Sequence, residues 1–165
     1  MPAGCQNSST GMILLVHLLF GAAIGSAIKN IPLALILAFL SHYLLDVLPH
    51  TEYNIENIRE KQWQKAMSDF LKILLDFCSG ILLIALFVHP LTSSGQLVIY
   101  VCAFLAILPD GFTILHSLIP IKILKIHHKI HIEKIHFLKH KKISNFWRIF
   151  SQIAVVIISI MLFNF

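Results

Sequence analysis

Residues 38–50 read Ala38-Phe-Leu-Ser-His-Tyr-Leu-Leu-Asp-Val-Leu-Pro-His50 and place His42, Asp46 and His50 on an otherwise apolar run. His42 and Asp46 are four apart, so on a helix they stack on one face, one turn above the other. Pro49 stops the helix at or just before itself, which leaves His50 at its mouth, able to fold back toward the pair. Imidazole and carboxylate are ligands that a borderline cation such as zinc accepts, and an i, i+4 pair presents two at once. Such groups are costly in an apolar run unless a metal or a counter-charge offsets the cost.

The surrounding chain shares this apolar background. Of 165 residues, 57% are hydrophobic and 13% charged, about half the charge of a soluble domain, and the mean hydropathy is +0.80. The sequence therefore predicts an all-α integral membrane bundle of about five transmembrane helices: two helical hairpins, an interfacial basic segment and a C-terminal span. Cys5, Cys78 and Cys102 are far apart with no CxxC, which argues against a disulfide framework or a thiolate zinc site. The net charge of +5 does not point to nucleic acid, because the basic residues border apolar segments and fit anionic head groups better.

Residues 1–11 read as a flexible N-terminus and 12–165 as one membrane-embedded domain. The expected spans are 12–28, 33–48, 66–88, 97–108 and 146–165. His17 lies early in the first, with Gly21, Gly25 and Ser26 at a small-residue spacing that permits close helix contact. Glu52, Glu56 and Glu60 share a face of a solvated loop helix. The fourth span ends at Pro109-Asp110, and 112–142 reads as interfacial, interrupted by His116 and Pro120.

If the 50–72 loop and the 122–148 stretch share a side, that side holds all but one of the 13 Lys and Arg. The positive-inside rule makes it cytoplasmic, with the N-terminus in and the C-terminus out of a bacterial inner membrane. This arrangement puts every aspartate and all but one of the 10 histidines in the cytoplasmic half. A faint repeat supports paired hairpins: His17-Leu-Leu-Phe-Gly21 parallels Asp76-Phe-Cys-Ser-Gly80, and Leu48-Pro-His50 parallels Leu108-Pro-Asp110.

The candidate metal ligands are thus His17, His42, Asp46, His50, Asp76 and Asp110, holding a divalent ion, zinc first. Asp46 and Asp110 could also act as base, and His127 and His131, four apart, as proton donors or further ligands. Lys122, Lys125 and Lys129, with Glu133, form one face of a basic interfacial helix, whose expected partners are the bilayer and its anionic head groups. Asp69 suits a helix N-terminus, and His136 and His140 suit solvent.

His17 with Gly21 in a first membrane helix, the Leu-Pro-ligand ends of returning helices and the basic His-containing segment resemble the membrane-bound, predicted metal-dependent hydrolases of bacteria. The block His42-x3-Asp46-x2-Pro49-His50 is similar to that of small integral membrane proteins of ultrasmall bacteria. The resemblance covers roughly residues 12–140. The hydrolase pattern expects Asp-x-Asp-His where Pro49-His50-Thr51-Glu52 stands, and a second acid where Phe112 stands, so metal number and identity stay open. The resemblance implies a membrane-embedded metal-dependent hydrolase working at the cytoplasmic face. The lysines favour a phosphoester or phospholipid-like substrate. The alternatives are a divalent-cation or proton transporter, and a non-catalytic scaffold whose polar cluster fixes helix pairing.

Overall fold

The computed structural model describes residues 14–50, 56–59, 62–88, 93–119, 121–131 and 143–163. Among these the chain is all helix: α1 (Leu14–Ala27), α2 (Ile31–Val47), α3 (Glu56–Arg59), α4 (Trp63–Val88), α5 (Ser93–Leu118), α6 (Lys122–Ile130) and α7 (Asn145–Phe163). Three are long and apolar enough to cross a membrane, namely α4, residues 95–116 of α5, and α7; α1 and α2 are apolar but shorter.

The exterior is what a bilayer requires. Met67, Leu86, Leu97 and Phe146 are each about two-thirds exposed or more. In water that surface would drive association, whereas lipid tails solvate it.

The interior is built around α1, which touches α2, α4, α5 and α7. Leu18, Leu19, Ala22 and Ala23 are fully buried, and buried positions run right around the helix, as expected of a central one. Its small residues make this possible. A β-carbon on Gly21 would lie 2.5 Å from that of Ala106 and 2.7 Å from the Cys102 carbonyl oxygen, and one on Gly25 would lie 3.0 Å from Ile99 Cα. Gly80, the repeat partner of Gly21, packs α4 on α1, but there the nearest atom is the flexible end of Leu18 at 2.6 Å. Gly21→Ala is therefore expected to cost about 1–3 kcal/mol of stability. Gly80→Ala should cost less, and Gly111→Ala, with nothing within 4 Å, should cost nothing. Thermal melting of the three variants in one detergent checks this order.

Helix α2 is bounded by its own sequence. The Asn30 side chain accepts the Leu33 amide (3.0 Å) and a proline follows at the first turn. At the other end Leu48 is extended (φ −73°, ψ 151°), as the residue before Pro49 must be. Ser151 of α7 donates a hydrogen bond to the Pro49 carbonyl and ties this end down.

One boundary differs from expectation. Pro109 does not end a span at residue 108: α5 runs through it to Leu118, so the expected interfacial stretch is divided between the end of α5 and α6. A proline inside a helix removes an amide and loosens the turn before it. In a membrane helix this is tolerated where neighbouring groups satisfy the freed carbonyls. Pro109 offers no amide to the Leu105 carbonyl, and the next carbonyl in that turn, of Ala106, accepts from His42. Glu52, Glu60, His89, His136 and His140 lie outside the described residues, as does the N-terminal segment 1–11.

Candidate metal centre

Helices α2, α5 and α6 bring four side chains to one point. His42 and Asp46 stack one turn apart on α2, Asp110 follows Pro109 within α5, and His131 caps the C-terminus of α6. One ligand atom from each lies within 4.8 Å of all the others, so the group could hold a metal ion. His42, Asp46 and His131 are buried, at 2% exposure or less, while the Asp110 side chain is 29% exposed and marks the open side.

Nε2 of both histidines faces inward. His42 Nδ1 lies 2.8 Å from the Ala106 carbonyl. A carbonyl only accepts, so Nδ1 carries the proton and Nε2 of the neutral ring carries the lone pair. His131 Nδ1 lies 3.1 Å from Thr113 Oγ1. That hydroxyl can donate to the Pro109 carbonyl (3.4 Å) and accept from His131, or donate to His131; the first arrangement turns the Nε2 lone pair inward. The two Nε2 atoms are 3.2 Å apart. Asp46 Oδ2 stands 3.0 Å from the first and 2.8 Å from the second, and Asp110 Oδ1 stands 3.6 Å from His42 Nε2. Two imidazole nitrogens and two carboxylates converging in a buried site call for positive charge between them, a proton or a metal ion. Donor type, number and second contacts all suit a divalent cation.

His17 stands just behind this group. Its Nε2 lies 3.3 Å from Asp46 Oδ1, the oxygen turned away from the histidine pair, and its ring packs on His42 with centroids 4.5 Å apart. It orients the ligand carboxylate and is not among the four. Its Nδ1 is buried without a partner among the described residues. Beside it a cleft of about 20 Å³ runs to His50, Ser151 and Gln152. His17→Ala is expected to weaken metal affinity about 10- to 100-fold, the usual effect of losing a group that orients a ligand. Metal titration with a competing chelating dye measures it, and His17→Gln should recover part of the loss.

The other expected site residues fall elsewhere. His50 is also outside the four: its Nδ1 binds the Leu48 carbonyl (2.7 Å). Asp76 accepts the Leu15 amide (3.2 Å) in the first described turn of α1, a position that favours a carboxylate on helix-terminus grounds. Asp69 is buried on α4, 3.7 Å from Lys72. His131, expected as a catalytic group, is placed among the ligand atoms through the nitrogen that a proton donor would need. His127 lies one turn before it, half-buried, with Nε2 3.1 Å from the Tyr43 hydroxyl and its ring 5.4 Å from that of His131. Burial above all, and then the His131 imidazole, hold His127 below its ordinary pKa.

Two groups were not expected. Tyr43 packs against His42 and His131 ring to ring, and Thr113 holds the outer nitrogen of His131. Thr113 lies one turn after Pro109, a spacing visible in the sequence, but its role appears only once α6 is folded against α5. Comparisons with family models, curated proteins and solved structures found no match, so the geometry of this cluster carries the functional argument.

Proposed function

We propose that the protein is a membrane-embedded metal-dependent hydrolase that acts at the cytoplasmic face of a bacterial inner membrane on a phosphoester or phospholipid-like substrate. The observation that carries the reading is the four-residue group, with Nε2 of both imidazoles at its centre and one carboxylate side left open. A closed set of buried ligands suits a structural ion, and an open side suits catalysis. In this reading the chain crosses five times, α1 and α2 included, with the N-terminus in and the C-terminus out.

His42, Asp46, Asp110 and His131 would hold the ion, zinc being the first candidate for a nitrogen and oxygen set. When bound, such an ion supplies Lewis acidity and lowers the pKa of a coordinated water toward about 7. The remaining work falls to the protein. Buried His17 holds Asp46 in position. Asp110, on the open side, can accept a proton from an incoming nucleophile. His127, hydrogen-bonded to Tyr43 at the edge of the cluster, can return one to a leaving group. Exposed Lys122, Lys125 and Lys129 raise the local concentration of anionic substrate.

The test is a screen of phosphate mono- and diesters and of phospholipids, with purified protein in nanodiscs loaded with zinc or manganese. Product formation that requires metal and disappears in Asp46→Asn would establish the reading. Stoichiometric metal without cleavage, accompanied by ion uptake into proteoliposomes, would replace it with transport. A folded protein that binds no metal would leave the cluster as a packing device.

A further inference from the structure

Helix α6 has three faces, and each points somewhere different. Leu124, His127 and His128 are half-buried and His131 is buried, so this face lies on the protein. Ile123, Ile126 and Ile130 form a second stripe that is 52–76% exposed. Lys122, Lys125 and Lys129 form a third, adjacent to the isoleucines and also exposed. These lysines make no ion pair among the described residues, and no acidic residue occurs in 121–131. Helix α6 packs on α5 and reaches α2 through His127 and His131, and its outer two faces are exposed among the described residues.

We propose that α6 docks on the anionic head-group layer of the membrane, and that this docking sets the metal affinity of the centre by holding His131 in place. The proposal rests on the metal-site reading and extends it to the lipid surface. Isoleucines beside lysines match an acyl boundary beside anionic head groups. The same rotation of the helix that turns these stripes outward turns His131 inward, 2.8 Å from Asp46. One element therefore serves two sites. By linkage, lipid that favours the docked helix tightens metal binding, and bound metal favours the docked helix.

Amide exchange over residues 121–131, together with competitive zinc and manganese titrations, tests this on the full chain in nanodiscs. One set of discs is phosphatidylcholine alone, and the other contains phosphatidylglycerol as well. The expected result is slower exchange and about tenfold tighter metal in the anionic discs. Both differences should vanish in a Lys122→Gln, Lys125→Gln, Lys129→Gln variant and persist in the matching triple arginine variant. His131→Ala should keep the lipid-dependent protection and lose the lipid-dependent affinity, which also controls for metal held by the lipids themselves. Exchange indifferent to lipid charge would overturn the docking, as would protection that follows protein concentration and so reports a second chain. Lipid-dependent exchange with unchanged metal affinity would overturn the coupling. Absence of metal binding in every disc would remove the metal reading and the coupling with it, while the exchange data would still decide the docking.

Discussion

Asp46→Asn is expected to reduce bound divalent metal from about one ion per chain to background, the largest single effect at the site. Asp46 Oδ2 is the atom closest to both imidazole nitrogens, at 3.0 and 2.8 Å. Asparagine keeps its volume but removes the negative charge that offsets the ion, and half of its polar end becomes a donor facing lone pairs. Asp46 also carries the contact to His17 on its other oxygen, so the substitution disturbs the supporting residue as well. Elemental analysis by mass spectrometry on detergent-purified protein measures the loss. Size-exclusion behaviour and helical circular dichroism separate it from unfolding. Asp76→Asn, which alters a carboxylate on the α1 amide and not at the centre, should retain metal. Wild-type metal content in Asp46→Asn would overturn the four-ligand assignment.

Metal removal is expected to have the second large effect, this time on stability. A ligand that binds only the folded chain contributes about 2.7 kcal/mol at a hundred times its Kd and about 4.1 kcal/mol at a thousand times. For a chain of this size that corresponds to a fall in melting temperature of roughly 5–15 °C on chelation. Part of the fall comes from the ion's own bonds, and part from the charge of the two carboxylates, which is less well offset without it. Zinc added back should restore the wild-type transition. In His42→Ala the chelator should produce little shift, since a central ligand is already missing. A melting temperature that ignores chelator and metal alike in the wild type would favour a purely structural cluster.

Much of this molecule was legible from composition and spacing. Long apolar runs in a chain with little charge are satisfied in lipid by helices, so the all-helical fold, with helices apolar enough to cross a membrane, followed without tertiary information. The i, i+4 relation of His42 and Asp46 is a local property of a helix. So is the stop at Pro49, because proline sterics act within one turn; the start is two residues earlier than the expected 33, since Asn30 caps the helix and Pro32 fits its first turn. The small residues at Gly21 and Gly25 signalled close packing, although not which helix would approach.

Tertiary structure decided the membership of the site. His50 and Asp76 have the same chemistry as His42 and Asp110, and a list of residue types does not separate them. They differ because His50 turns to the Leu48 carbonyl just past the end of α2, and because Asp76 accepts the Leu15 amide of α1. Pro109 shows the limit most directly. Read locally, it is a helix stop. In the fold, α1 and α2 pack against α5, His42 takes the Ala106 carbonyl in the loosened turn, and the helix continues with Asp110 and Thr113 on it. His131 lies 85 residues from Asp46 in sequence and 2.8 Å away in space. Local propensity placed each group on its helix, and the packing of α2, α5 and α6 chose which of them share a centre.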